Sequence, residues 1–184
     1  VCFYRTTAVE RISFFFLFEG FSMSVTVGQA APDFVLKHKA ADGVKDVKLS
    51  EQRGSNVVLL FFPLAFTSVC TDELCSVSNG LELYAGMNAK VFGISVDSPF
   101  TLEVFAEKND IKVPLLSDFN KSAATAFGAI YDVMLPGMLD LNGVAKRSAF
   151  VVDKDGVIRY AEVLDDARNL PNFEAIKSTL QALN

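Results

Sequence analysis

Hydrophobic and polar positions fall into blocks whose period changes along the chain. Val57-Val58-Leu59-Leu60-Phe61-Phe62 is unbroken apolar sequence, short and without a polar face. That pattern predicts a strand buried on both sides. Beyond Pro63 the period lengthens. Leu74, Val77, Leu81 and Tyr84 recur at helical spacing and predict a helix starting near Cys70. Val91-Phe92-Gly93-Ile94-Ser95-Val96 reads as a second buried strand. Ser98 and Pro99 then supply an N-cap and a first helical residue, with Leu102, Phe105 and Ala106 turned inward. Pro114 to Asp118 reads as a short strand and turn, and Lys121 to Phe127 as a short helix closed by Gly128.

Weaker alternation flanks this centre. Asp33-Phe34-Val35-Leu36 and Val44 to Leu49 are joined through Ala41-Asp42-Gly43, which predicts an early hairpin. Ser50 to Gly54 reads as one helical turn or a loop, and Asp132 to Ala145 as loop, with Pro136, Gly137 and Gly143. Ser148–Val152 and Val157–Val163, linked by Asp153-Lys154-Asp155-Gly156, predict a late antiparallel hairpin. Asn172 caps a last helix with Phe173, Ile176, Leu180 and Leu183 on one face. Parallel crossovers in the first half and an antiparallel pair in the second imply an α/β fold. Its expected form is a mixed central sheet flanked by helices, in the thioredoxin-like arrangement.

Composition narrows the function. With 184 residues, 51% hydrophobic and 21% charged, the chain suits one domain with a sizeable core. A net charge of −5 and no basic stripe argue against nucleic acid as a partner. No apolar run approaches the ~18 residues of a membrane-spanning helix, so no membrane partner is expected. Three cysteines do not make a disulfide scaffold. They suit a redox role in a reducing compartment, and the expected location is the cytoplasm. Residues 1–22 look foreign to the rest. Met23 is followed by a good globular start, and the domain is expected over 23–184. The first segment reads as a mis-set translation start, with a targeting peptide or a disordered extension as the other readings. On that reading Cys2 has no role.

The candidate chemistry lies at Cys70, where a strand ends and a helix begins. Free backbone N–H groups and the helix dipole there favour a thiolate, the reactive form of cysteine. Most cysteines are inert filler, so context decides. Pro63 ends the strand, and Thr67 lies three residues before the sulfur. If the turn is helical from Thr67, its hydroxyl and the thiol share a face, where the hydroxyl can bond the thiolate or a bound oxygen. The plainer readings are an N-cap for Thr67, a strand terminator for Pro63 and a surface charge for Arg147.

Pro-x-x-x-Thr-x-x-Cys after a buried strand resembles the active-site signature of the peroxiredoxins. The resemblance extends through Ala31-Pro32-Asp33-Phe34, Phe62 to Thr67, Pro114 to Asp118 and Arg147 to Gly156, and so from about Val25 to the C-terminus. Phe-Phe-Pro-Leu-Ala-Phe-Thr is most similar to the alkyl hydroperoxide reductase E type. The resemblance implies a thiol-dependent peroxidase in which Cys70 is the peroxidatic cysteine. Thr67 supplies the hydroxyl, Pro63 shields the site, Arg147 is the active-site arginine and Glu73 is an acid behind it. It implies a hydroperoxide substrate, a cysteine sulfenic acid intermediate, and no cofactor or metal.

Cys75 departs from the E type and resembles the Q type, or bacterioferritin comigratory proteins, in which a second cysteine at this spacing resolves the first. On an intact helix five residues advance about 7.5 Å and turn roughly 140° past a full turn. A Cys70–Cys75 disulfide therefore requires the first helical turn to unwind. Two readings stay open. In one, Cys75 resolves Cys70 and thioredoxin, glutaredoxin or a similar thiol recycles the disulfide. In the other, Cys75 is a buried helix residue and an external low-molecular-weight thiol acts directly. A dithiol oxidoreductase would share the fold, but Cys-x-x-Cys is absent. A zinc site needs about four ligands, and a cysteine hydrolase needs a histidine. The only histidine, His38, reads as a solvated residue of the early hairpin. A non-catalytic interaction domain is the non-enzyme alternative. Phe61, Phe62, Leu64, Phe66 and Met134 are candidates for apolar surface at the mouth, which would admit alkyl hydroperoxides beside small peroxides. The family resemblance also allows a homodimer.

Overall fold

The computed structural model describes residues 25–184, and the expectations for residues 1–22 and Cys2 lie outside the described residues. Elements follow in the order β1 (Val35–Ala40), β2 (Gly43–Lys48), a 3-10 turn (Leu49–Gln52), β3 (Asn56–Phe61), α1 (Ser68–Asn79), α2 (Leu81–Gly86), β4 (Ala89–Ser95), α3 (Pro99–Lys108), β5 (Leu115–Ser117), α4 (Ser122–Ala126), β6 (Val133–Met134), β7 (Leu141–Asn142), β8 (Ser148–Val152), β9 (Ile158–Val163) and α5 (Phe173–Ala182). The main sheet runs β2-β1-β5-β4-β3-β8-β9. Strands β3, β4 and β5 are parallel, and β1, β2, β8 and β9 pair antiparallel. This is the mixed, thioredoxin-like sheet that the block pattern predicts.

Strand β3 lies in the interior, and every one of its residues is buried. Its alternate side chains feed two cores. Val58, Leu60 and, just past the strand, Phe62 pack with Leu74, Val77, Tyr84, Leu102, Phe105, Ile176 and Leu180, so α1, α2, α3 and α5 cover one face. Val57, Leu59 and Phe61 pack with Leu49, Ala123, Ala124, Phe127 and Phe150, so the 3-10 turn and α4 cover the other. The caps at Ser98 and Asn172 form as expected, each side chain accepting from the backbone three residues on. The predicted helix from Cys70 to Tyr84 breaks at Gly80 into α1 and α2.

Three local expectations are corrected. The stretch read as loop after Asp132 holds a small ribbon, with Val133 opposite Asn142 and Met134 opposite Leu141. Pro136 and Gly137 hid it, because they form its turn rather than end all regular structure. Second, His38 is not a solvated loop residue. Strand β1 extends to Ala40 because the turn is only two residues long, with Ala40 opposite Gly43. His38 is therefore half-buried in a strand, with Nδ1 2.9 Å from the Leu115 carbonyl oxygen. Third, Phe61 and Phe62 lie fully in the two cores and line no mouth.

Candidate active site

Parallel pairing brings the C-terminal ends of β3 and β4 side by side, and the loop leaving β3 is held from β4. The Phe62 amide continues the ladder by donating to the Ile94 carbonyl. Pro63 is buried just beyond it. The Ala65 amide donates to Asp97 Oδ2 at 2.8 Å, and the Ser95 hydroxyl donates to the same oxygen at 2.5 Å. Phe66 takes a left-handed backbone, φ 63°, which is unusual for a bulky residue. Its ring stacks edge-on against Phe105, with centroids 5.1 Å apart. The chain then turns into α1 with Thr67 as the N-cap residue, in extended conformation.

Helix α1 lies close on the sheet because residue 93 has no side chain. A Cβ there would stand 2.7 Å from Leu115 Cδ2 and 3.1 Å from Leu74 Cδ2. Cys70, Glu73, Leu74 and Val77 form the buried face of the helix. Cys70 is the third helical residue, so the amides of Ser68, Val69 and Cys70 have no partner within the helix. Arg147 lies one residue ahead of β8. Since Ser148 pairs with Phe61, Arg147 falls at the end of β3 beside the α1 terminus.

The three buried polar groups form one cluster. Arg147 Nη2 donates to Cys70 Sγ at 3.2 Å, Nη1 donates to Glu73 Oε2, and Nε donates to the Ala167 carbonyl at 3.0 Å. Cys70 and Arg147 are each 1% exposed and Glu73 is 0% exposed. Burial pushes the Glu73 carboxyl up to about 7, and the Arg147 guanidinium offsets only part of that cost. Tyr131 is also raised, chiefly by burial, and its hydroxyl donates to the Leu164 and Asp165 carbonyls. Leu64, next to Pro63, packs with Tyr131, Met134 and Val144 in a third apolar cluster.

Cys70, Glu73 and Arg147 are thus brought together, with Pro63 beside them. The Thr67 hydroxyl is not turned toward the sulfur. It is exposed and donates to the Leu64 carbonyl at 3.0 Å, because Thr67 ends the extended loop and is not a first helical residue. Cys75 is half-buried on the intact α1, its Sγ 3.5 Å from the Asn109 carbonyl oxygen, and both it and Cys70 are free thiols. Sequence reasoning missed Asp97 and the Ala167 carbonyl. An acid at the end of β4, adjacent to the strand that carries the loop, was a usable signal for Asp97. Nothing in the sequence pattern marked a backbone carbonyl 20 residues beyond Arg147.

A sulfur at a helix N-terminus, touched by a buried guanidinium on a thioredoxin-like sheet, defines a thiol-based oxidoreductase. Residues 27–161 match the AhpC/TSA family. The 2-Cys peroxiredoxin BAS1 of Hordeum vulgare chloroplasts is 34% identical over 165 residues, covering 85% of this chain and 73% of the relative. The mitochondrial thioredoxin-dependent peroxide reductase of Drosophila melanogaster is 36% identical over 149 residues, covering 77% of this chain and 60% of the relative. The solved structure of Mycobacterium tuberculosis AhpC superposes with a TM-score of 0.74 at 25% identity, covering 88% of this chain and 94% of that one. The chain belongs to the AhpC/TSA family of peroxiredoxins and is a thiol-dependent peroxidase.

Proposed function

We propose that Cys70 is the sulfur that attacks the peroxide. The observation that carries this reading is the 3.2 Å hydrogen bond from the Arg147 guanidinium to its Sγ at the start of α1. The Cys70 thiolate attacks one oxygen of a hydroperoxide, an S–O bond forms and the O–O bond breaks. The second oxygen leaves as hydroxide or alkoxide and takes a proton, and Cys70 becomes a sulfenic acid. Arg147 and the free amides at the α1 terminus stabilise the charge that grows on the leaving oxygen. Thr67 joins them on rotation of its hydroxyl away from Leu64. Pro63 keeps the approach stiff, and Glu73 holds Arg147. Hydrogen peroxide and organic hydroperoxides are both substrates in this reading, with exposed Phe66 and half-buried Leu64 as the apolar contacts.

Recycling proceeds through Cys75. Its thiol attacks the Cys70 sulfenic acid, water leaves and a disulfide forms after the first turn of α1 unwinds. Thioredoxin, glutaredoxin or a small thiol then reduces it. A thioredoxin-dependent relative at 36% identity supports the first of these. The protein acts in the cytoplasm. Exposed Phe66, Phe100 and Phe119 follow the C-terminal ends of three neighbouring strands and support pairing into a homodimer.

Peroxide consumption by the purified chain tests the assignment, and activity that survives Cys70→Ser refutes it. Intact mass after one equivalent of peroxide tests recycling. A loss of two hydrogens within one chain, mapped to Cys70 and Cys75, is expected. A stable gain of one oxygen on Cys70 overturns the disulfide route in favour of an external thiol.

A further inference from the structure

Among the described residues, Glu73 Oε1 is the one buried side-chain oxygen or nitrogen without a hydrogen-bond partner, and it lies in the site itself. The cluster holds two acids and one cation. Arg147 spends one nitrogen on the Ala167 carbonyl, one on Glu73 and one on Cys70. We propose that Glu73 and Cys70 divide one proton and one guanidinium between them. Glu73 keeps the proton while Cys70 is ionised, and ionisation of Glu73 draws Arg147 from the sulfur. This rests on Cys70 as the reacting sulfur.

The argument is one of charge and donors. With Cys70 and Arg147 ionised and Glu73 neutral, the buried cluster carries no net charge. If Glu73 ionises as well, an anion is left over in a site from which all three side chains exclude water, which is the costly state. Glu73 is also a poorly held carboxylate, because one of its oxygens has no donor. Its carboxyl pushed up to about 7 agrees with this. The neighbours leave the balance intact. From the segment before β6, Tyr131 faces Arg147 and Cys70 and is raised, so it stays neutral. From the segment after β9, Asp165 and Asp166 are ion-paired to Lys146 and Arg168. Glu73 touches Arg147 and not the sulfur, so it is a positioning residue. Two acids sharing one cation titrate as a coupled pair.

The test is single-turnover oxidation of the reduced full chain by hydrogen peroxide from about pH 5 to pH 9. The native chain is expected to lose rate roughly two- to tenfold above about pH 7, one unit of coupling being a tenfold change. Glu73→Gln, which can still accept from Arg147, is expected to lose the fall. Infrared titration of the protonated carboxyl band supplies a second measurement that leaves Glu73 in place. By reciprocity, Cys70→Ser removes the competing anion and is expected to move the midpoint of the Glu73 band upward in acidity, to lower pH. Superimposable profiles for the native chain and Glu73→Gln overturn the proposal. So does a carboxyl band indifferent to Cys70→Ser, which decides the matter if Glu73→Gln does not fold. Absence of any peroxide reaction, with the carboxyl band still responding to Cys70→Ser, would instead refute Cys70 as the reacting sulfur.

Discussion

Arg147→Met separates the structural from the chemical work of the guanidinium. The methionine keeps most of the side-chain volume but leaves Glu73, 0% exposed, with no cation. Removing one partner of a buried pair costs about 3–5 kcal/mol. For a chain of this size each kcal/mol lowers Tm by about 2–4 °C, so a fall of roughly 6–20 °C is expected above neutrality. The loss depends on pH in a defined direction. Burial pushes the folded carboxyl up to about 7 from the ordinary 4.5, so the native state binds more protons than the unfolded chain between these limits. Stability falls as pH rises through that window and levels off above it. Without Arg147, which lowers the carboxyl, the window extends further upward. At about pH 5, Glu73 is neutral and the variant loses only hydrogen bonds, about 1–3 kcal/mol. Thermal unfolding at acidic and alkaline pH is the assay. Arg147→Met combined with Glu73→Gln is expected to regain stability at alkaline pH but not the peroxide rate, which stays down by about 10²–10³-fold. Equal destabilisation of Arg147→Met at both pH values would refute the reasoning, since the charge on Glu73 would then not be what Arg147 neutralises.

Other substitutions probe how the site is held. Asp97→Ala removes the acceptor for the Ala65 amide and the Ser95 hydroxyl. It should cost about 1–3 kcal/mol in urea unfolding and slow the peroxide reaction, with Asp97→Asn restoring part of both. Gly93→Ala forces Leu115 and Leu74 to move and should cost about 1–3 kcal/mol, part of which Leu115→Val recovers in the same chain. Ser98→Ala removes the side-chain cap accepting from Thr101 and should cost about 1 kcal/mol without changing the peroxide rate.

Much of this was legible in the sequence because the informative signals were local. An apolar hexad, a serine before a proline and an asparagine before an amphipathic run each name an element from nearest neighbours. The cluster was only half legible. Helical spacing puts Cys70 and Glu73 on one face, but the arginine that joins them arrives from 74 residues beyond Glu73 through antiparallel pairing of β8 with β3. Its place came from family resemblance, because residue spacing carries no information about that pairing. The Thr67 hydroxyl shows the opposite failure. Helical spacing to Cys70 begins at Ser68, one residue later than the spacing of Thr67 and Cys70 suggests, and an N-cap in extended conformation aims its side chain elsewhere. The place of His38 is not legible locally, because strand length depends on a turn and on a neighbour across the sheet, Lys37 opposite Ser117.

That single paired position sets a gradient of wear across the molecule. The outer β1–β2 unit is fastened to the centre by Lys37 opposite Ser117, by the His38 ring on the Leu115 carbonyl, by Lys39 on Glu103 of α3 and by Leu36 in the core, with little backbone ladder to hold its amides. Amides there should exchange with solvent long before those of β3 and β8, whose ladder runs from Val57 to Phe61. The reactive sulfur and its arginine hang from the slow-exchanging middle, so fraying at the margin can come and go without disturbing the chemistry.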